Sequence, residues 1–169
     1  MPPPHKLPDM LRRGLKLVFV GTAAGRRSAE VGAYYAKPGN RFWRTLAETG
    51  ITPRRFEPAE FPLLLDLGIG FTDLSKTQAG SDHEISEYDP ASFEAKMLEF
   101  QPRLVAFTSK KAASSWLSVR TAAISLGRQS LARPGFPEVH VMSSPSGAAS
   151  GHWTIAPWQS LAAAYFALR

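Results

Sequence analysis

A chain of 169 residues, 44% hydrophobic and 20% charged, is long enough to bury one sizeable core and has the balance of a globular domain. It holds no cysteine, which excludes disulfides, thiolate nucleophiles and cysteine-ligated zinc or iron–sulfur centres. Its 20 Lys and Arg against 14 Asp and Glu give a net charge of +6, which favours a polyanionic partner such as nucleic acid, and no apolar run approaches membrane-spanning length.

Residues 1–9 are proline-rich without an apolar leader segment, and we expect a flexible lead-in to one cytoplasmic domain spanning 1–169. The apolar run 15–20 predicts the first strand, and it enters the small-residue turn Gly21-Thr22-Ala23-Ala24-Gly25. Residues 21–39 read as an ordered loop. A helix follows over 41–49, closed by Gly50, and a second over 58–67 with Pro58 in its first turn. Residues 67–72 turn extended and lead into a polar loop, 73–86. Phe93, Met97 and Phe100 share one face of a helix over 89–100. A third strand at 103–108, an alanine-rich helix over 109–125, a fourth strand at 138–142 and a closing helix over 157–168 complete the chain. Strands alternating with helices predict an α/β fold, a three-layer α/β/α sandwich around a mainly parallel four-stranded sheet.

In such a sheet the loops 21–39, 73–86 and 143–153 gather at one edge, where ligands bind. They bring free amides, the aromatics Tyr34 and Tyr35, the carboxylate of Asp73 and the turn Ser144-Pro145-Ser146-Gly147. That set suits a planar heterocycle, stacked on a ring and read along one edge. Taken singly each feature has a plainer reading: a packing aromatic for Tyr35, a turn or helix cap for Asp73. The first turn lacks the Gly-Lys-Ser/Thr ending of a phosphate loop, and Ser146 lacks the Gly-x-Ser-x-Gly setting of a hydrolase nucleophile. Histidines 5, 83, 140 and 152 show no metal-ligand spacing. No metal and no cofactor is expected.

Leu7-Pro8-Asp9-Met10-Leu11, the run from Gly14 to Gly21, Tyr35-Ala36-Lys37-Pro38-Gly39-Asn40-Arg41-Phe42-Trp43, Gly70-Phe71-Thr72-Asp73-Leu74 and Ser144-Pro145-Ser146-Gly147 fall in one order. That series resembles the mismatch-specific uracil/thymine-DNA glycosylase branch of the uracil-DNA glycosylase superfamily, and the Asn-Arg-Phe-Trp block is its most specific piece. The resemblance implies a base pocket formed by Gly21, Thr22, Ala23, Ala24, Tyr35, Asn40 and Ser144, with Tyr35 stacked on the extruded base. It implies DNA contacts from Lys37, Lys110, Ser146, Gly147, Ala148 and Ser150, with Ala148 at the wedge position. Arg26, Arg27 and Lys111 extend the expected basic face.

This sequence departs from the pattern at three positions. Ala23 stands where the family's first motif carries a water-positioning asparagine, Ala148 is small for a wedge, and Ser150 stands where a relative has arginine. Asp73 is therefore the expected catalytic group, orienting water and meeting cationic sugar charge, with Asp82 and Glu84 next in line. Its competing role is to read the base edge. The expected protein is a monomeric, monofunctional glycosylase that flips uracil or another deaminated base out of DNA and hydrolyses its N-glycosidic bond in base excision repair. A lesion-binding protein that scarcely cleaves, and a nucleotide- or metabolite-binding domain, are the alternatives.

Overall fold

The computed structural model describes residues 5–131 and 133–168. Five strands, β1 (Leu17–Ala24), β2 (Ile69–Ala79), β3 (Leu104–Phe107), β4 (Gly127–Arg128) and β5 (Glu138–Val141), form one sheet in the order β2-β1-β3-β5-β4. β1 lies parallel to both β2 and β3, with Leu17 opposite Ile69 and Leu104, and β3 is parallel to β5. The fifth strand, β4, was not expected. It is two residues long and antiparallel to β5, too short to carry a period, and it closes the sheet edge.

Alternation along the strands builds two cores. Leu17, Phe19, Ile69, Phe71, Leu104 and Ala106 pack on one face against Tyr34, Phe42 and Trp158. Val18, Val20, Leu74, Val105, Phe107 and Val139 pack on the other against Phe93, Met97 and Trp116. The helices α1 (Arg26–Val31), α2 (Phe42–Glu48), α3 (Pro90–Phe100), α4 (Lys110–Leu117) and α5 (Ala156–Ala167) cover the sheet, and residues Pro58–Leu67 form a 3-10 helix. Pro62 inside that segment removes a backbone donor, which disfavours an α-helix there.

Several boundaries differ from expectation, and α1 stands inside the expected loop 21–39. Gly21 to Ala24 and Asp73 to Ala79 are strand rather than loop, paired as Gly21 with Asp73, Ala23 with Ser75 and Ala24 with Ala79 across a register shift. α4 ends at Leu117, where Ser118 takes a left-handed conformation at φ 58°. Of the expected lead-in, 1–4 lie outside the described residues. The remainder is docked: Leu7 is buried, Lys6 N–H donates to Lys76 C=O at 2.7 Å, and Met10 and Phe71 exchange backbone hydrogen bonds at 2.9 Å.

α4 starts from a side-chain cap, Ser109 Oγ accepting from Ala112 N–H at 3.0 Å. Ser109→Ala is expected to lower stability by about 1 kcal/mol in chemical denaturation without altering the slope of the transition. A variant as stable as the parent would show that the cap adds nothing.

Candidate active site

Beyond Val20, β1 has a neighbour on one side only. Its register with β3 ends at Val20 opposite Phe107, while its pairing with β2 continues through Gly21 and Ala23. One backbone edge of residues 21–24 is therefore open at the carboxyl end of the parallel sheet. Gly21 is needed here for space. A Cβ added to it would lie 2.6 Å from Asp73 Oδ1 and 3.3 Å from the Tyr35 hydroxyl. Gly21, Asp73 and Tyr35 thus meet at one point.

Tyr35 is held in a left-handed conformation at φ 52°, and its ring stacks on Phe42 with centroids 4.0 Å apart and planes 19° apart. Its hydroxyl donates to Thr108 Oγ1 at 3.1 Å, and Thr108 donates in turn to Val20 C=O at 3.3 Å. Burial, then the Asp73 charge, raise its phenol above the ordinary value. Tyr34 and Phe42 are buried in the core, Tyr34 stacked on Phe71, whereas Tyr35 keeps part of its surface exposed. Of the three residues, only Tyr35 is not fully buried.

Asp73 lies within β2 rather than after it, 5% exposed, and Oδ2 has no hydrogen-bond partner among the described residues. Burial pushes its carboxyl up to about 6, with Lys76 pulling down and Asp9 pushing up. Lys76 Nζ lies 3.8 Å from Asp73 Oδ2 and 2.8 Å from Asp9 Oδ1. Asp9 also accepts from Thr72 Oγ1 at 2.7 Å and from Lys96 Nζ at 2.6 Å. Burial alone would raise the Asp9 carboxyl, but Lys76, Lys96 and Thr72 together hold it below the ordinary carboxylate value. The hydroxyl of Thr72, the residue before Asp73, is thus turned to Asp9.

The rim comes from two loops in contact. Arg41 N–H donates to Pro145 C=O at 2.8 Å, and a Cβ on Gly147 would come 3.4 Å from Gly39 C=O. Asn40 spends its Oδ1 on a cap, accepting from Phe42 N–H at 2.9 Å. Ser144 Oγ accepts from Ser146 N–H, and Ser146 Oγ from Ala148 N–H, each at 3.3 Å. Gly147, Ala148 and Ser150 are exposed on a short 3-10 helix, and Lys37 is exposed on the facing loop. Lys37 and Lys110 enter no ion pair among the described residues, whereas Arg26 pairs with Glu84 and Arg27 reaches Glu30 at 3.8 Å. Lys111 lies over the Tyr88 ring, 5.8 Å from its centroid.

Asp82 and Glu84 both have partners, and that of Asp82 is the expected pocket residue Thr22. Asp82 accepts from Thr22 Oγ1 at 2.7 Å, and Glu84 pairs with Arg26 and accepts from Ser81 N–H. Four residues that the sequence reading did not single out adjoin the site: Lys76, Asp9, Ser75 and Arg41. Ser75 is 2% exposed, stands opposite Ala23 and has an unpartnered hydroxyl. The Arg41 guanidinium lies over Trp153, 5.3 Å from the ring centroid. A cavity of about 380 Å³ at the β2 edge reaches Asp73, Lys76 and Lys96, while another of about 440 Å³, lined by the connection from β4 to β5, holds no candidate residue. Among the described residues no helix is long and apolar enough to cross a membrane, and no group of three His, Cys, Asp or Glu could hold a metal ion.

A family model for the uracil DNA glycosylase superfamily matches residues 8–163. Among solved structures, the solution NMR structure of a candidate uracil DNA glycosylase from Methanosarcina acetivorans superposes with a TM-score of 0.67 at 20% identity, covering 95% of this chain and 96% of that one. At that identity the match shows a shared fold, with the mainly parallel sheet between helices.

Proposed function

The chain belongs to the uracil DNA glycosylase superfamily, a membership that supports a DNA glycosylase role, and from it we propose a monofunctional enzyme that removes uracil or a related deaminated base flipped out of DNA. The observation that carries this reading is the meeting of Gly21, Asp73 and Tyr35 beside the open edge of β1. Hydrolysis of an N-glycosidic bond must stabilise the departing base as an anion and bring water to a cationic sugar. Backbone donors on the open edge serve the first need, at roughly 3–4 kcal/mol for a well-aimed donor. Asp73, ionised, serves the second by accepting a proton from water and facing the cationic charge. Tyr35 supplies the stacking surface.

Incubating the protein with a uracil-containing duplex, then treating with alkali to break abasic sites, tests the reading directly. Strand scission at the uracil is the expected result. Retention of the lesion duplex without scission would favour a lesion-binding protein, the reading that Ala23 raises by removing the usual water ligand. No preference for damaged over intact DNA would defeat both.

DNA contact is proposed for Lys37 and Lys110, which enter no ion pair among the described residues, together with the turn of Ser146, Gly147, Ala148 and Ser150. Each phosphate neutralised on duplex DNA contributes about −0.9 to the slope of log affinity against log salt. Lys110→Ala is expected to flatten that slope by about one such increment and to weaken binding to all sequences alike. An unchanged slope would remove Lys110 from the interface.

A further inference from the structure

The ammonium of Lys76 is almost enclosed, its side chain 9% exposed, and it sits between two carboxylates at unequal distances, 2.8 Å from Asp9 and 3.8 Å from Asp73. The nearer one is not part of the sheet. Asp9 comes from the docked amino-terminal segment, and three groups fix its place: Thr72, Lys76 and, from α3, Lys96. Asp73 has nothing comparable. Its Oδ2 is buried without a hydrogen bond, so nearby charge is what decides its state. The groups facing it are Lys76 on its own strand, Asp9 on the amino-terminal segment, Lys96 on α3, and Tyr34 and Tyr35 on the loop after α1. His5, Glu87 and Asp89 line the outer part of the adjoining cavity.

We infer that Lys76 is a positioning residue for the Asp73 carboxylate, and that Asp9 sets its strength by holding the ammonium part-way off Asp73. The amino-terminal segment thereby governs the charge at the site. The inference rests on the catalytic reading of Asp73, and the arrangement has a signature of opposite signs. Removing the Lys76 charge takes away attraction and favours the protonated carboxyl. Removing the Asp9 charge takes away repulsion and frees Lys76 to approach Asp73, which favours the ionised form. Asp73 titrates near 6 with both neighbours in place.

The test follows the Asp73 carboxyl carbon by NMR across pH in the full chain, beside the pH dependence of single-turnover cleavage of a uracil duplex. Lys76→Met is expected to move the Asp73 midpoint upward, lowering the ionised fraction by about tenfold for each unit moved at pH values well below the parent's midpoint. Asp9→Asn is expected to move it downward, and Lys76→Arg to restore it toward that of the parent. A merely structural role for Lys76 would change the melting temperature and leave the midpoint in place. Midpoints that stay fixed, or that move the same way in Lys76→Met and Asp9→Asn, overturn the inference. If Lys76→Met does not fold, Lys76→Gln takes its place, and a midpoint that stays fixed in that variant overturns the inference as well. Opposite NMR shifts without any cleavage by the parent would sustain the coupling and defeat only the catalytic reading.

Discussion

Asp73→Ala is expected to cut the single-turnover rate of base excision by about a hundredfold or more while leaving affinity for the lesion duplex largely intact. The carboxylate lies beside Gly21, where a Cβ would come 2.6 Å from Oδ1, and Ala23 offers no polar group to replace it. In the parent the rate should rise with pH through about 6, as Asp73 ionises. Stability should run the other way. The folded state holds the Asp73 proton more tightly than the unfolded chain, whose carboxyl titrates near 3.8, so stability falls as pH rises between about 4 and 6. At neutral pH the buried charge costs on the order of 2–3 kcal/mol. Asp73→Asn, which keeps the shape and removes the charge, is therefore expected to be slow yet no less stable than the parent at pH 7.5. A rate and an affinity that fall together would make Asp73 a base reader. An unchanged rate would shift the role to Asp82, which a hydrogen bond from Thr22 holds at the pocket, or to Glu84, or leave catalysis to the backbone and the substrate.

Tyr35→Ala is expected to weaken binding of a lesion duplex by about 1–3 kcal/mol, roughly 5- to 150-fold, with cleavage falling alongside and the fold retained. The ring is braced from behind by Phe42 and pinned at its hydroxyl by Thr108, so the stacking surface is preorganised. Tyr35→Phe separates the two supports: it keeps the surface, loses the Thr108 hydrogen bond, and should retain most of the affinity. Measuring dissociation constants on a duplex carrying a non-cleavable uracil analogue gives the answer. Full affinity in Tyr35→Ala would take the ring out of the base pocket. Tyr34 and Phe42 would not replace it, since both are sealed in the core.

Sequence patterning put Tyr35 in a loop, where it stands, but misjudged the place of Asp73. Residues 73–79 are mostly polar, with only Leu74 large and apolar, and 21–24 are small, so neither shows the apolar alternation by which a strand is read. Their strand character comes from pairing with each other, a contact across about fifty residues that no local window contains. The same pairing moved Asp73 from a strand end into a strand interior. Asn40 shows the opposite case. Its place in the Asn-Arg-Phe-Trp block drew it into the base pocket, while the structure uses its oxygen to cap the first turn of α2.

What the sequence determined by itself is the alternation of elements. Apolar runs at 15–20, 103–108 and 138–142 and helical faces such as Phe93–Met97 can be buried in only one kind of layered sheet, and that preference is local to each segment. What the tertiary structure alone decided is the electrostatic state of the site. Asp9, Asp73, Lys76 and Lys96 come from three separate stretches of chain, and their charges act through distance and burial, neither of which is defined until the amino-terminal segment has docked on β2 and α3 has packed beside it.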